Sequence, residues 1–171
     1  LSFGNLREYK GIDQLLSAVS QIIKTIPMAH LLVVGQPWVN WENYAQIITD
    51  LNLENNVTAV LEYVPMSEVQ KYFIASDLLA LPYKKFDAQS GVGNIGLAFG
   101  LPLVVSRVGG LPDLVKDERA IVEPNSVKSL AEAITTIFLD EKLYEKLRED
   151  TSVLKQQYSW RGAIESTFSI Y

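Results

Sequence analysis

No cysteine occurs among the 171 residues, which excludes disulfides and thiolate metal sites and leaves nothing pointing to an oxidising compartment. Histidine occurs once, at His30, too few for a histidine metal site and a poor basis for a Ser-His pair. Charged residues make up only 20% and their balance is acidic, net −5. A nucleic-acid binder needs a basic surface to neutralise phosphates, so that class is set aside. An acidic chain still holds one phosphate group locally, through a few amides and a lysine. No apolar run is long enough to span a bilayer. Leu1-Ser2-Phe3-Gly4 opens like a core strand rather than a charged leader. With no leader and no cysteine, the expectation is a cytoplasmic protein. No internal repeat, low-complexity segment or interior linker stands out.

What remains is a globular pattern: 48% hydrophobic residues, in a length that fits one domain over residues 1–171 with a single sizeable core. A chain that opens inside a strand reads as a piece of something longer. Short apolar runs alternate with segments of helical period. Strands are predicted at Leu1–Phe3, His30–Val34, Val57–Leu61, Leu78–Leu81, Leu103–Val105 and Ala120–Val122. Between them, Ile12, Leu15, Leu16, Val19, Ile22, Ile23 and Ile26 form a stripe of helical spacing that Pro27 ends. Further helices are predicted at Trp41–Leu51, at Ser67–Ala75 with Ser67 as its cap, and at Gly91–Phe99. Helices then dominate: Val127–Phe138 capped by Ser126, a charged helix over Glu141–Leu154, and a terminal helix capped by Ser159 with Trp160, Ile164 and Phe168 on one face. Alternation of this kind predicts an α/β, three-layer, Rossmann-like fold: a parallel sheet of about six strands, helices on both faces, and C-terminal helices.

In such sheets ligands bind outside the carboxyl ends of the strands, so the loops that follow each strand carry the functional argument. After the first strand, Gly4 allows close backbone approach, and Lys10 stands just before a helix N-terminus, where an anion is already favoured. A solvated surface lysine fits that spacing equally well. After the second strand, Trp38 and Trp41 read as packing or domain-interface residues. After the third, the backbone around Val64 can line a base pocket. After the fourth comes the most polar and glycine-rich connection, Pro82 to Gly93. Ser90 and Gly91 open a helix there and offer a second anion site, and Asp87 can accept hydrogen bonds from sugar hydroxyls; a flexible loop with a capping serine is the plainer alternative. No Gly-Lys-Ser/Thr follows, so this is not a P-loop. After the fifth strand, Gly109-Gly110 gives a third close-approach turn. His30 falls at the opposite edge and reads as structural. Three glycine-rich loop-to-helix junctions on one edge favour a phosphate-bearing ligand.

The order and spacing of several segments resemble the C-terminal domain of group 1 (family 4) retaining glycosyltransferases, with the GT-B fold. They are Phe3-Gly4 leading to Lys10-Gly11, Leu32-Val33-Val34-Gly35, Tyr63-Val64-Pro65, Ala75-Ser76-Asp77 before Leu81-Pro82, Gly100-Leu101-Pro102-Leu103-Val104-Val105, Val108-Gly109-Gly110-Leu111-Pro112-Asp113, and Tyr158-Ser159-Trp160. The resemblance implies a donor site for a UDP-, GDP- or ADP-sugar and no cofactor. It implies diphosphate binding by Lys10 with Gly4 and the amides near Gln89, Ser90 and Gly91, sugar positioning by Asp87, and base contact through the Val64 backbone. It also implies a partner N-terminal domain that supplies the acceptor and any peripheral membrane contact. Two positions depart from the pattern. Asn5 stands where the family has an arginine that helps the lysine, with Arg7 as a candidate substitute. Ile95 stands where a glutamate holds the ribose. Two other readings therefore stay open: a degenerate, non-catalytic domain of this fold, and a nucleotide-sugar epimerase of the same fold.

Overall fold

The computed structural model describes residues 1–157, so the terminal helix predicted around Trp160 and the Tyr158-Ser159-Trp160 segment lie outside the described residues. The strands are β1 Ser2–Phe3, β2 Leu31–Val34, β3 Val57–Val60, β4 Leu79–Leu81, β5 Leu103–Ser106 and β6 Ile121–Val122. The helices are α1 Ile12–Ile22, α2 Glu42–Asp50, α3 Met66–Ile74, α4 Gly91–Phe99, α5 Val127–Leu139 and α6 Glu141–Gln157. All strand pairing is parallel.

The strands do not form the one broad sheet that the alternation predicts. They make two three-stranded sheets, β1-β2-β3 and β4-β5-β6. β1 is short, pairing Ser2 with Val33 and Phe3 with Val34. The two sheets nevertheless meet edge to edge through Leu1: the Ala80 amide donates to the Leu1 carbonyl at 2.9 Å, and the Leu1 nitrogen donates to the Leu78 carbonyl at 2.8 Å. The resulting spatial order is β3-β2-β1-β4-β5-β6, which reverses direction between β1 and β4.

Two apolar cores lie on the two faces. On one, the stripe Ile12, Leu15, Leu16, Val19 and Ile22 of α1 meets Leu130, Ala131, Ile134 and Ile137 of α5 over Leu31, Val33, Ala80 and Val104. On the other, Val69 and Phe73 of α3 and Leu97 of α4 cover Phe3, Val34, Leu79, Leu81, Leu103 and Val105. The alternation within β4, Ala80 to one core and Leu79 and Leu81 to the other, is the period-two signature of a sheet covered on both sides. Each large aliphatic side chain buried this way contributes roughly 1.5–3 kcal/mol. Leu143 and Leu147 of α6 join the first core and Leu154 the second, so the last described helix runs from one layer to the other.

Helix α4 shows why glycine belongs in a helix here. A Cβ on Gly96 would sit 2.5 Å from Leu79 Cδ2, and one on Gly93 would sit 2.3 Å from Leu114 Cδ1. The low helix propensity of glycine, about 1 kcal/mol per residue against alanine, is the condition for laying α4 directly on the sheet. Ser126 caps α5 as predicted, its Oγ accepting from the Ser129 amide at 3.2 Å. Ser67 does not cap α3: that helix begins at Met66, directly after Pro65, whose φ of −59° already suits a helix entry and whose carbonyl accepts from the Glu68 amide at 2.8 Å. Among the described residues no helix is long and apolar enough to cross a membrane.

Candidate functional site

The reversal of strand order between β1 and β4 opens a crevice at their carboxyl ends, the place where open α/β sheets bind ligands. The loop after β1 is held rigidly there. Gly4 has φ +92° and its amide donates to Val34 O at 2.9 Å. Leu6 is fully buried and ties this loop to the one after β2, donating to Gln36 O at 2.9 Å and accepting from the Trp38 amide at 2.9 Å. A 3-10 turn, Glu8–Lys10, then ends at Gly11 in the left-handed region, φ +68°. Gly11 opens α1 pressed against the next loop: a Cβ there would sit 2.1 Å from Pro82 O.

This geometry buries Lys10, which is 3% exposed. Its ammonium donates to Phe3 O at 2.6 Å and stands 5.7 Å from the centroid of the Tyr83 ring. Burial, with the nearby Arg7 charge adding to it, pushes the ammonium down to about 8. Among the described residues no carboxylate pairs with it. A largely desolvated cation with donors to spare is a receptor for an anion.

The second half of the crevice is the first turn of α4. A Cβ on Gly4 would lie 3.0 Å from Lys10 Nζ and 3.2 Å from Val92 Cγ2, so Gly4 is the seam between the lysine and this turn. Ser90, 2% exposed, caps α4 by accepting from the Gly93 amide at 3.2 Å. The first-turn amides have no intrahelical acceptor, and nothing lies within 4 Å of where a Gly91 Cβ would be. Lysine and open helix N-terminus thus face one space from two sides.

The loop between β4 and α4 is fastened at its base and open at its tip. The Lys84 amide donates to Tyr9 O at 2.7 Å, Lys84 Nζ pairs with Asp13 at 2.8 Å, and Phe86 stacks on Tyr9 with ring centroids 5.6 Å apart. Gly109, φ +50°, lies beneath it, where a Cβ would meet Phe86 O at 2.3 Å, and a Cβ on Gly110 would meet Gln89 Cγ at 3.3 Å. The turn after β5 therefore supports the loop that carries Asp87 and Gln89, both of them exposed.

Of the predicted residues, the fold brings Gly4, Lys10, Ser90 and Gly91 together, with Asp87 and Gln89 on the adjoining loop. Asn5 is exposed beside them. Val64 lies beyond β3 and packs half-buried on the second core. Ile95 also packs on that core, as its chemistry requires. Arg7 is exposed and its guanidinium lies over the Trp38 ring, 4.4 Å from the centroid. Trp38 is 61% exposed, as an interface residue would be, whereas Trp41 is half-buried against Tyr44. His30 sits at the opposite edge, Nε2 2.8 Å from Thr58 Oγ1. Sequence reasoning missed Tyr83, which joins the two halves of the crevice from below. It follows Pro82, and the Leu-Pro-Tyr run reads only as the end of a strand.

Residues 1–152 match the family model of the group 1 glycosyl transferases. A D-inositol 3-phosphate glycosyltransferase of Corynebacterium glutamicum is 27% identical over 98% of this chain and 41% of its own length. Spore coat protein SA of Bacillus subtilis is 22% identical over all of this chain and 48% of its own length. The chain therefore spans less than half the length of these relatives. Among solved structures, the C-terminal domain of a group 1 glycosyl transferase, LpcC of Francisella tularensis, superimposes with a TM-score of 0.81 at 18% identity, covering 92% of this chain and 83% of that one. Anabaena HepE, solved in complex with UDP, superimposes with a TM-score of 0.80 at 23% identity, covering 99% of this chain and 49% of that one. The fold is that of these GT-B proteins, and with the family match over residues 1–152 the chain belongs to the group 1 glycosyl transferases.

Proposed function

We propose that this chain is the donor-binding domain of a retaining hexosyltransferase and takes a nucleoside-diphosphate sugar at the carboxyl edge of its sheet. The observation that carries the proposal is Lys10: a buried ammonium with no carboxylate partner among the described residues, one glycine away from the open N-terminus of α4. Negative charge developing on a leaving diphosphate is stabilised there by Lys10 and the Ser90 and Gly91 amides, all in place before reaction. Asp87, at the exposed tip of the adjoining loop, positions the transferred sugar. The Val64 backbone contacts the base. The acceptor hydroxyl comes from a second domain, in keeping with relatives more than twice as long. The positive charge needed is supplied by the lysine and the helix terminus, so the reading requires no cofactor.

The departures at Asn5 and Ile95 favour a second reading, a domain that binds nucleotide without turnover. Ile95 packs on the core and offers ribose no hydrogen bond. Calorimetric titration of the chain with UDP, GDP, ADP and their sugar conjugates tests the first step. Selective binding to one base that Lys10→Ala weakens supports the donor site and identifies the donor class. Absence of binding to all of them overturns it. Activity of the longer protein, lost in Asp87→Ala, then separates a transferase from a binding domain.

A further inference from the structure

Tyr83 touches both anion-binding elements of the crevice from a position where it cannot itself reach the ligand space. It is 2% exposed. Its ring is fixed edge-on between Tyr9, centroids 5.2 Å apart, and Phe86, 5.1 Å apart. The Lys10 ammonium stands over the ring at 5.7 Å, within the range of a cation–π contact. Its hydroxyl lies 3.5 Å from Ser90 Oγ, at the long limit for a hydrogen bond.

The hydrogen count at Ser90 decides what this contact does. A serine hydroxyl has one proton and two lone pairs. The Gly93 amide already occupies one lone pair at 3.2 Å. A buried phenol needs an acceptor for its own proton, and Ser90 Oγ is the partner within reach. Burial holds the Tyr83 phenol up at about 12, so it keeps that proton at neutral pH, and either oxygen can donate across the contact. When the phenol is the donor, it and the Gly93 amide occupy both Ser90 lone pairs, and the serine proton is left for another acceptor.

We infer that Tyr83 is a positioning residue of the anion site, its ring seating Lys10 and its hydroxyl, donated to Ser90, turning the Ser90 proton toward the diphosphate. This rests on the donor-site reading proposed above. Replacing Tyr83 by Phe keeps the ring, the packing and the seat of Lys10. It frees the Ser90 proton to settle on other partners.

The test is an NMR titration of the 171-residue chain with inorganic pyrophosphate, which probes the anion site whatever the base, and with the nucleoside of the base that the wild type selects. Tyr83→Phe is expected to weaken pyrophosphate about ten-fold, the loss of one hydrogen bond to a charged group, and to leave nucleoside affinity unchanged. A merely structural role would weaken both ligands together. Ser90→Gly, which keeps a residue type accepted at helix caps, is expected to show the same pyrophosphate loss, and the double variant no further loss. Wild-type pyrophosphate affinity in a folded Tyr83→Phe overturns the inference and leaves the donor site standing. Should Tyr83→Phe fail to fold, undiminished pyrophosphate affinity in Ser90→Gly overturns it instead. A wild type that binds neither pyrophosphate nor any nucleotide overturns both.

Discussion

The two edges of the sheet are built from opposite materials. At the carboxyl edge, glycines at positive φ, a buried lysine and an open helix N-terminus converge on a small polar crevice. At the amino edge lies a cavity of about 530 Å³, lined by aliphatic and aromatic side chains such as Leu15, Val19, Ile22, Met28, Ile134 and Phe138, with His30 among them. Whereas the carboxyl edge offers a buried ammonium and open helix amides, the lining of this cavity is mostly apolar. Its neighbourhood serves stability: Asp117, just before β6, is 8% exposed and accepts from Arg119 at 2.8 and 2.9 Å and from Lys146 at 2.5 Å. The proposed site lies at the topological reversal between β1 and β4, with the glycine-rich loops, and not at the apolar hollow.

Substitutions can break this contrast. Gly11→Ala strikes the carboxyl edge hardest, because it puts a Cβ 2.1 Å from Pro82 O on a residue with φ +68°. Both the left-handed backbone and the overlap count against it, and chemical denaturation should show a loss of about 3–5 kcal/mol. Next comes Lys10→Ala, expected to weaken nucleotide-sugar binding about a hundred-fold by calorimetry, the loss of a charge-assisted contact in a desolvated site. His30→Ala, at the other edge, should leave that affinity untouched. Equal losses in the two variants would sink the assignment of the site to the carboxyl edge.

Asp117→Asn sharpens the contrast from the other side. It removes a carboxylate that two cations and the Arg119 amide hold in place, and should destabilise the chain by about 2 kcal/mol without altering nucleotide affinity. The Arg119 guanidinium, more than any other neighbour, holds the Asp117 carboxyl far below the ordinary carboxylate range. The sign follows: a depressed carboxylate contributes stability that is present above its unfolded value, near pH 4, and is lost as pH falls below it. Wild type should therefore begin to lose its advantage over Asp117→Asn as pH falls below 4, and a stability gap that does not narrow between pH 5 and pH 2 would contradict the account.

Much of this was legible in the chain itself, for identifiable reasons. Helical and strand periods locate elements because burial imposes them, as in the α1 stripe and the Leu-Leu-Val-Val of β2. Lys10, Ser90 and Gly91 stand out in the sequence because they sit where a strand gives way to a helix, and the fold brings them together. Strand pairing is not legible: periodicity says that a strand exists, not which partners it keeps, so the grouping into two three-stranded sheets does not show in the sequence. The Ser67 cap was misplaced because Pro65 starts the helix one residue before the serine. Tyr83 was missed because its role depends on Lys10 and Ser90, which are far from one another in the chain and meet only in the fold.

The smallest expected effect separates binding from stability in one residue. Burial, with Arg7 adding to it, brings Lys10 down to about 8 from an ordinary lysine value of 10.5. Between these values the unfolded chain binds the proton and the folded one does not, so unliganded stability rises as pH increases from 8 toward 10.5. Anion binding runs the other way, because it needs the charged form. A bound diphosphate stabilises the ammonium and raises its titration, so affinity holds below pH 8 and falls above it. A nucleotide sugar is the right probe, since its diphosphate is esterified at both ends and has no proton of its own to lose near pH 8. Its affinity should drop about ten-fold between pH 7 and pH 9, while the thermal midpoint of the free chain does not fall over the same range. Lys10→Arg, charged throughout, should flatten the binding profile. An unchanged pH dependence in that variant would mean that another group titrates, and the carboxyl edge would then owe its anion preference to the α4 amides alone.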